Sequence, residues 1–252
     1  MLIYSVFLLS HIGSYVLMLA GVFSKPENRR MYVKEIFHHC SEIGWRSLGI
    51  VTVISFFIGA VSTVQTAYQL VSPLIPQAAI AQIVREAVLL EFSPTLVCIV
   101  LAGVVGSKIT SEIGNMRVSE QIDAMETMGI NTRSWMIMPR LLGAMITIPS
   151  LIVISAALGI IGGRIAGSVT GIISTDVYDR GLLWGFKTFT LVFMLIKSYC
   201  FSFLIITISC YFGYHVKGGS LEIGRSTTRA VITSCVAILV SDYVLSLLLL
   251  SK

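Results

Sequence analysis

The chain has 252 residues, of which 55% are hydrophobic and only 12% are charged, whereas about a quarter of the residues of soluble proteins are charged. A water-soluble domain of this size needs a polar exterior that this composition does not supply, so an ordinary globular enzyme is excluded. The mean hydropathy of +0.87 favours a helical protein that crosses the membrane several times. The five cysteines are odd in number, which argues against a disulfide framework.

Long intervals that are almost free of charge predict the membrane-spanning helices, each of which needs about 20 apolar residues. Five intervals meet this requirement: 48–68, 87–107, 141–163, 188–214 and 230–250. Residues 1–24 are also uncharged but lack the basic start of a signal peptide, so they are expected either to cross the membrane or to lie in its interface. Pro73 and Pro76 predict that 73–85 forms a separate interfacial or re-entrant piece.

The distribution of lysine and arginine predicts the orientation in the membrane. If the segment before the first span is cytoplasmic, that side holds 12 of the 18 lysines and arginines, and the other side holds 5. Five spans then place the C-terminus outside. The net charge of +5 follows from this bias, so no nucleic-acid partner is implied and anionic lipid headgroups are the expected neighbours.

The polar segment 108–140 is predicted to contain a docking helix on the cytoplasmic side. Ser119 is expected to cap this helix and Gly129 to end it. An apolar stripe at nearly helical spacing consists of Val118, Ile122, Met125 and Met128. Four carboxylates accompany it: Glu112, Glu120, Asp123 and Glu126. Such a helix suits a partner's groove, whereas a helix that merely rests on anionic lipid is expected to be basic.

Motifs spread over nearly the whole chain carry a family resemblance. The run GSKITSEIGNMRVSEQIDAMETMGI begins at Gly106 and is followed by Pro139 and Arg140. Further motifs are Phe57-Ile58-Gly59 with Gln65, Glu91 with Pro94, Ile196-Lys197-Ser198, and residues 224–231 with Asp242. Together they resemble the MlaE-type permeases, the membrane subunits of ABC transporters that work with MCE proteins.

The resemblance implies an all-α polytopic fold, with an N-terminal interfacial helix and five transmembrane helices in a single permease domain, 1–252. Residues 1–46 would form an interfacial elbow region, and 108–140 would carry a coupling helix seated in a cytoplasmic ABC ATPase. It also implies a homodimer in the bacterial inner membrane, a periplasmic MCE-domain protein and movement of phospholipid or a related lipid between the inner and outer membranes. The chain itself is expected to need no cofactor, since it lacks a phosphate-binding loop and the partner ATPase would bind ATP.

The site residues that the resemblance suggests fall into two groups. ATPase coupling is assigned to Glu112, Glu120, Gln121, Asp123 and Glu126. A lipid cavity between two permeases is assigned to Gln65, Tyr68, Glu91 and Phe92. The family commonly has an arginine directly before the glutamate of the second span, whereas this chain has Leu90 there; Arg85 is the nearest candidate to replace it.

Two charged residues inside predicted spans are expected to form an intramembrane ion pair. An ionisable residue within the bilayer costs on the order of 2.5 to 3.5 kcal/mol, and Lys197 and Asp242 lie at similar depth in consecutive antiparallel spans. The pair either only permits insertion or takes part in a proton relay. Gly159, Gly163, Gly167 and Gly171 recur every four residues and predict close helix packing, either within one subunit, which is the preferred interpretation, or across a dimer.

Two other functions stay open at this point. An intramembrane enzyme that modifies lipid would use Glu91, Lys197 or Asp242 for acid–base chemistry. A passive channel or assembly scaffold would leave the acidic docking helix unexplained. The four histidines show no zinc-binding spacing, so neither a metal site nor a catalytic residue is predicted.

Overall fold

The structure is a computed structural model that describes residues 13–22, 29–70 and 76–250. These residues form helices and short connections and contain no β-strand. The helices are α1 (Gly13–Val22), α2 (Arg29–Gln69), α3 (Ala78–Val118), α4 (Gln121–Thr127), α5 (Thr132–Val169), α6 (Thr175–Leu183), α7 (Thr188–Tyr214) and α8 (Ser220–Leu250). Pro73 and residues 1–12, on which two of the predictions rest, lie outside the described residues.

Five of these helices are long and apolar enough to cross a membrane: α2, α3, α5, α7 and α8. The predicted all-α polytopic fold with five spanning helices is thereby confirmed. The short apolar helix α1 lies in the N-terminal stretch for which an interfacial helix was predicted. Its Tyr15 hydroxyl is 2.7 Å from the Thr207 hydroxyl of α7, and its ring stands edge-on to Tyr211.

Helix α3 differs from the predicted second span because it begins at Ala78, nine positions after the last residue of α2, and continues to Val118. The prediction of a separate piece ending at residue 85 is therefore wrong for residues 78–85, which contain neither glycine nor proline to break the helix. Pro94 lies in a stretch of wide π-helical turns, Val88–Leu96, that accommodates its missing amide hydrogen without ending the helix.

The chain forms two compact units. The first comprises Met1–Ile43, Ala102–Ile146 and Ser202–Ala237, and the second comprises Gly44–Leu101, Thr147–Phe201 and Ile238–Lys252. The first unit contains α4 and the predicted docking segment, and the second contains the predicted ion pair. A core cluster of the second unit packs the start of α3 against α6 and consists of Ile80, Ala81, Val84, Val88, Ile173 and Tyr178.

Glycines bring α2 and α5 into backbone contact in the second unit. A Cβ atom on Gly59 would lie 1.8 Å from the carbonyl oxygen of Gly159, and one on Gly162 would lie 2.2 Å from that of Phe56. A Cβ on Gly163 would meet Thr63 of α2 at 2.5 Å. The predicted close packing within one subunit is thus confirmed for this part of the glycine repeat.

The last glycine of the repeat does not belong to the packed stripe. Helix α5 ends at Val169, and Gly171 follows it with a φ of +69° and open space where a Cβ would stand. The prediction is wrong at this position because Gly171 supplies a left-handed turn between α5 and α6.

Candidate coupling helix and intramembrane charge cluster

Helix α4 is a seven-residue element between α3 and α5, and only Ile122 in it is fully buried. Glu120, directly before it, has a φ of 58°, so the chain turns through a left-handed residue between α3 and α4. Gly129, with a φ of +80°, follows the last helical turn, which confirms the predicted end of the helix. The two turns fix α4 as a separate rigid element.

The predicted start of this helix and its apolar stripe need correction. Ser119 does not cap α4, because its hydroxyl donates a hydrogen bond back to the carbonyl of Asn115 in α3. Val118 belongs to α3, and Met128 is largely exposed beyond the end of α4. Ile122 is therefore the one fully buried side chain of the predicted stripe, Met125 is half-buried, and no continuous apolar stripe runs along α4.

The predicted coupling residues of α4 have different surroundings. Glu120 and Gln121 are exposed, and their side chains make no hydrogen bond or ion pair with the described residues. Asp123 is also exposed but accepts a 2.6 Å hydrogen bond from Arg117 of α3. These three side chains thus form an accessible polar surface, and Glu120 and Gln121 in it have no partner among the described residues.

Glu126 connects α4 to two long helices. Its Oε1 accepts a 2.6 Å hydrogen bond from the Tyr214 hydroxyl at the end of α7 and a 3.1 Å bond from the Thr132 hydroxyl at the start of α5. The bond from Tyr214 is the main cause that lowers the pKa of the Glu126 carboxyl below its usual value. A displacement of α4 therefore acts directly on α5 and α7.

Glu112, the remaining predicted coupling residue, lies in an ionic network of the first unit instead of on α4. Its carboxylate is 3.5 Å from Lys108 and 3.7 Å from Arg140, and Lys108 also contacts Glu42. The structure therefore does not bring Glu112 together with the exposed polar surface of α4.

Lys197 is the centre of a charge cluster in the second unit. Its ammonium nitrogen lies 2.6 Å from Oδ1 of Asp242, 2.9 Å from Oε1 of Glu91 and 3.0 Å from the carbonyl oxygen of Leu90. The side chain has no solvent-exposed surface, and the nitrogen lies 4.7 Å from the Phe193 ring centroid. Because an ammonium group has three hydrogens, these three acceptors satisfy it completely.

The carbonyl oxygen of Leu90 lies in the same π-helical stretch as Pro94, Val88–Leu96. A carbonyl oxygen has two lone pairs, so it can accept the bond from Lys197 in addition to a helical hydrogen bond. Sequence reasoning paired Lys197 with Asp242 and missed Leu90 and Glu91. The sequence carries no direct signal for a backbone acceptor of this kind.

The cluster contains two carboxylates for one ammonium group. The Thr95 hydroxyl lies 3.1 Å from Asp242 Oδ1 and 3.3 Å from Glu91 Oε2, so it is shared between them. The side chain of Asp242 is 16% exposed, whereas that of Glu91 is 46% exposed. The cluster therefore opens toward its surroundings on the Glu91 side.

The residues predicted to line a lipid cavity are not enclosed within one subunit. Gln65 is exposed and Tyr68 is 83% exposed on α2, while Phe92 packs against the core cluster of the second unit. Phe92 also lines a crevice beside Ser93 with a volume of only about 10 Å³, which is room for one water molecule. A lipid cavity that uses these residues therefore requires a second surface opposite them.

Arg85 does not present its guanidinium group at the surface. It is almost fully buried and donates hydrogen bonds to the carbonyl oxygens of Leu182 and Trp184. It also pairs with Glu86 at 3.1 Å and lies over the Phe186 ring. Arg85 thus fixes the connection between α6 and α7, and it is not placed to replace the missing arginine before Glu91.

The five long apolar helices define the class of the chain as a multi-pass membrane protein. A model of the Permease MlaE family matches residues 36–248, so the chain belongs to the MlaE permease family. Within the described residues, no group of three or more histidine, cysteine, aspartate or glutamate side chains is arranged to hold a metal ion.

Related proteins from bacteria carry transporter names. A probable ABC transporter permease protein of Rickettsia felis is 32% identical over 235 residues, which cover 93% of this chain and 90% of the relative. A probable ABC transporter permease protein of Synechocystis is 30% identical over 222 residues, or 88% of this chain and 82% of the relative. The chain is accordingly a permease subunit of the ABC transporter type.

A plant protein is also similar. The chloroplastic protein TRIGALACTOSYLDIACYLGLYCEROL 1 of Arabidopsis thaliana is 29% identical over 217 residues, which cover 86% of this chain and 62% of that protein. Its name refers to a glycolipid.

Proposed function

We propose that this chain is the permease of an ABC transporter that moves phospholipid or a related lipid, and that α4 is the coupling helix on which a separate cytoplasmic ATPase docks. The observation that carries the proposal is the arrangement of α4. It exposes Glu120, Gln121 and Asp123 to a partner, and through Glu126 it is bonded to Tyr214 and Thr132 of two long helices.

This arrangement suits the transmission of force. The ATPase presses on the exposed side of α4, and the short helix moves as a unit because turns bound it on both sides. The hydrogen bonds of Glu126 carry that movement to α5 and α7. Two sites are coupled in this way through one rigid element, without nucleotide binding by the permease.

The exposed membrane residues support lipid as the substrate. Gln65 and Tyr68 are open to the outside of the subunit, and Glu91 is partly open. In a homodimer, the same residues of the second copy supply the facing wall of a cavity that this subunit lacks alone. The MlaE family and the glycolipid in the name of the plant relative favour a lipid over a water-soluble substrate.

The remaining partners follow from the family resemblance. An MCE-domain protein on the periplasmic side receives or delivers the lipid, and the bacterial inner membrane is the location. In this account the single permease domain spans 1–252, with an interfacial elbow region in 1–46 and the coupling segment in 108–140. The ion cluster around Lys197 holds α3, α7 and α8 together within the second unit and has no catalytic role.

Charge reversal on α4 tests the proposal. The double variant Glu120→Lys and Asp123→Lys should lower the amount of ATPase that co-purifies from native membranes at least tenfold, because it replaces two exposed carboxylates by cations. The control is Asp176→Lys, which reverses an exposed carboxylate in the first turn of α6. Equal ATPase recovery with both variants, together with normal lipid-stimulated ATP hydrolysis, would contradict the assignment of α4.

A further inference from the structure

A cleft of about 370 Å³ lies in the first unit, and none of its lining residues belongs to α4. It is formed by the first part of α2, the last turns of α3 and the start of α5. The residues that determine its chemistry are Glu35, Glu42, Glu112, Arg140, Trp135 and Met116. The coupling mechanism and the lipid cavity leave this cleft unused.

The charges of the cleft are incompletely balanced. Lys108 contacts both Glu42 and Glu112, and Arg140 lies 3.7 Å from Glu112. Glu35 is half-buried at the cleft and forms no ion pair with any residue that the structure describes. The three carboxylates Glu35, Glu42 and Glu112 therefore have two permanent cations as neighbours, Lys108 and Arg140. The unpaired carboxylate of Glu35 favours a positively charged occupant.

The position along the helices places the cleft at the level of the lipid headgroups. Lys108 directly follows the apolar run of α3, and Arg140 directly precedes that of α5. On α2, near Glu35, the large apolar side chains of Val33 and Phe37 are mostly exposed. Exposed apolar side chains beside a ring of charges are typical of the boundary between hydrocarbon and headgroups.

We propose that this cleft binds the headgroup of a zwitterionic membrane lipid, with its ammonium group beside Glu35 and Trp135. A carboxylate and an indole ring are a suitable pair for an ammonium group, because one supplies charge and the other a cation–π contact. The site is separate from the transport cavity, so a lipid bound there acts as a structural or regulatory ligand on the cytoplasmic side.

Native mass spectrometry of the full-length protein tests this site. The detergent-purified protein is mixed with equal amounts of phosphatidylethanolamine and phosphatidylglycerol that carry the same acyl chains. The wild-type protein should retain the ethanolamine lipid at least fivefold over the glycerol lipid. Glu35→Gln should bring this ratio to within twofold of one, whereas the control Asp176→Asn, at an exposed carboxylate of α6, should keep the wild-type ratio.

Three results would overturn the proposal. The first is equal retention of the two lipids by the wild-type protein, which would show no preference for an ammonium group. The second is an unchanged preference in Glu35→Gln, which would locate the preference elsewhere in the protein. The third is a carbodiimide cross-link between Glu35 and a lysine of the ATPase in native membranes, which would show that a basic side chain of the ATPase occupies the cleft.

Discussion

Lys197 has a fully buried ammonium group, and three acceptors are placed around it within the second unit. Removing water from a charge of this kind costs several kcal/mol, which only close and complete partners offset. Asp242, Glu91 and the carbonyl of Leu90 provide this compensation. The cluster is therefore a structural requirement of the α3, α7 and α8 contact.

Removal of the Lys197 ammonium group should destabilise the folded protein. Lys197→Met should lower the free energy of unfolding by about 3 to 5 kcal/mol, because it leaves the mostly buried Asp242 carboxylate without its cation. The double variant Lys197→Met with Asp242→Asn should recover part of this loss. Unfolding by titration with sodium dodecyl sulfate measures both, and Lys187→Met, at an exposed lysine, is the control. Equal stability of all variants would contradict the structural role of the cluster.

Sequence reasoning reached only part of the cluster. Lys197 and Asp242 were paired because their depths in consecutive spans are readable from the sequence. Glu91 was assigned to the lipid cavity and not to this cluster. The π-helical turns around Pro94 keep the helix continuous and bring Glu91 to Lys197, and such turns have no clear signature in a single sequence.

The second residue-scale prediction concerns pH and Glu126. The pKa of the Glu126 carboxyl is lower in the folded protein than in the unfolded chain. The hydrogen bond from Tyr214 therefore stabilises the folded protein fully above the ordinary carboxyl pKa, and this stabilisation is lost as the pH falls through the lower pKa of the folded state. The difference in melting temperature between the wild-type protein and Tyr214→Phe should be largest at neutral pH and should shrink in acid. Thermal unfolding between pH 7 and pH 3 measures it. A difference that grows on acidification would contradict the ionised state of Glu126.

At the scale of elements, the sequence predicted which helices exist better than where they begin and end. Hydropathy marks the apolar part of a helix, and α2, α3, α5 and α8 continue into polar sequence because nothing there breaks them. The start of α4 was misplaced because Ser119 can bond either forward as a cap or backward to α3, and only tertiary context selects the backward bond.

The element-scale prediction uses two glycines of α2. Gly59→Ala should destabilise the protein by about 2 kcal/mol, because its Cβ would collide with the backbone of Gly159 and force α2 away from α5. Gly49→Ala, in the same helix with open space around its Cβ, should be neutral or slightly stabilising, since alanine favours a helix. Denaturant unfolding of both variants is the test. Equal effects would contradict the close packing of α2 on α5.

At the scale of the whole molecule, composition alone predicted a multi-pass helical membrane protein, and five spanning helices confirm it. The ABC permease class was reached through the motifs of 106–140 and the later spans, which the family match supports. The lipid cavity between two permeases stays a prediction, because Gln65 and Tyr68 are exposed and one subunit does not enclose them.

The proposed function requires that a separate ATPase docks on α4 on the cytoplasmic side. Photo-cross-linking in native membranes tests it most directly, with a benzoylphenylalanine at Gln121 and, as the control, at Tyr68 on the predicted outer side; both side chains are exposed. The benzoylphenylalanine at position 121 should capture the ATPase, and the one at position 68 should not. Capture from position 68, or none from position 121 while the ATPase still co-purifies, would contradict it.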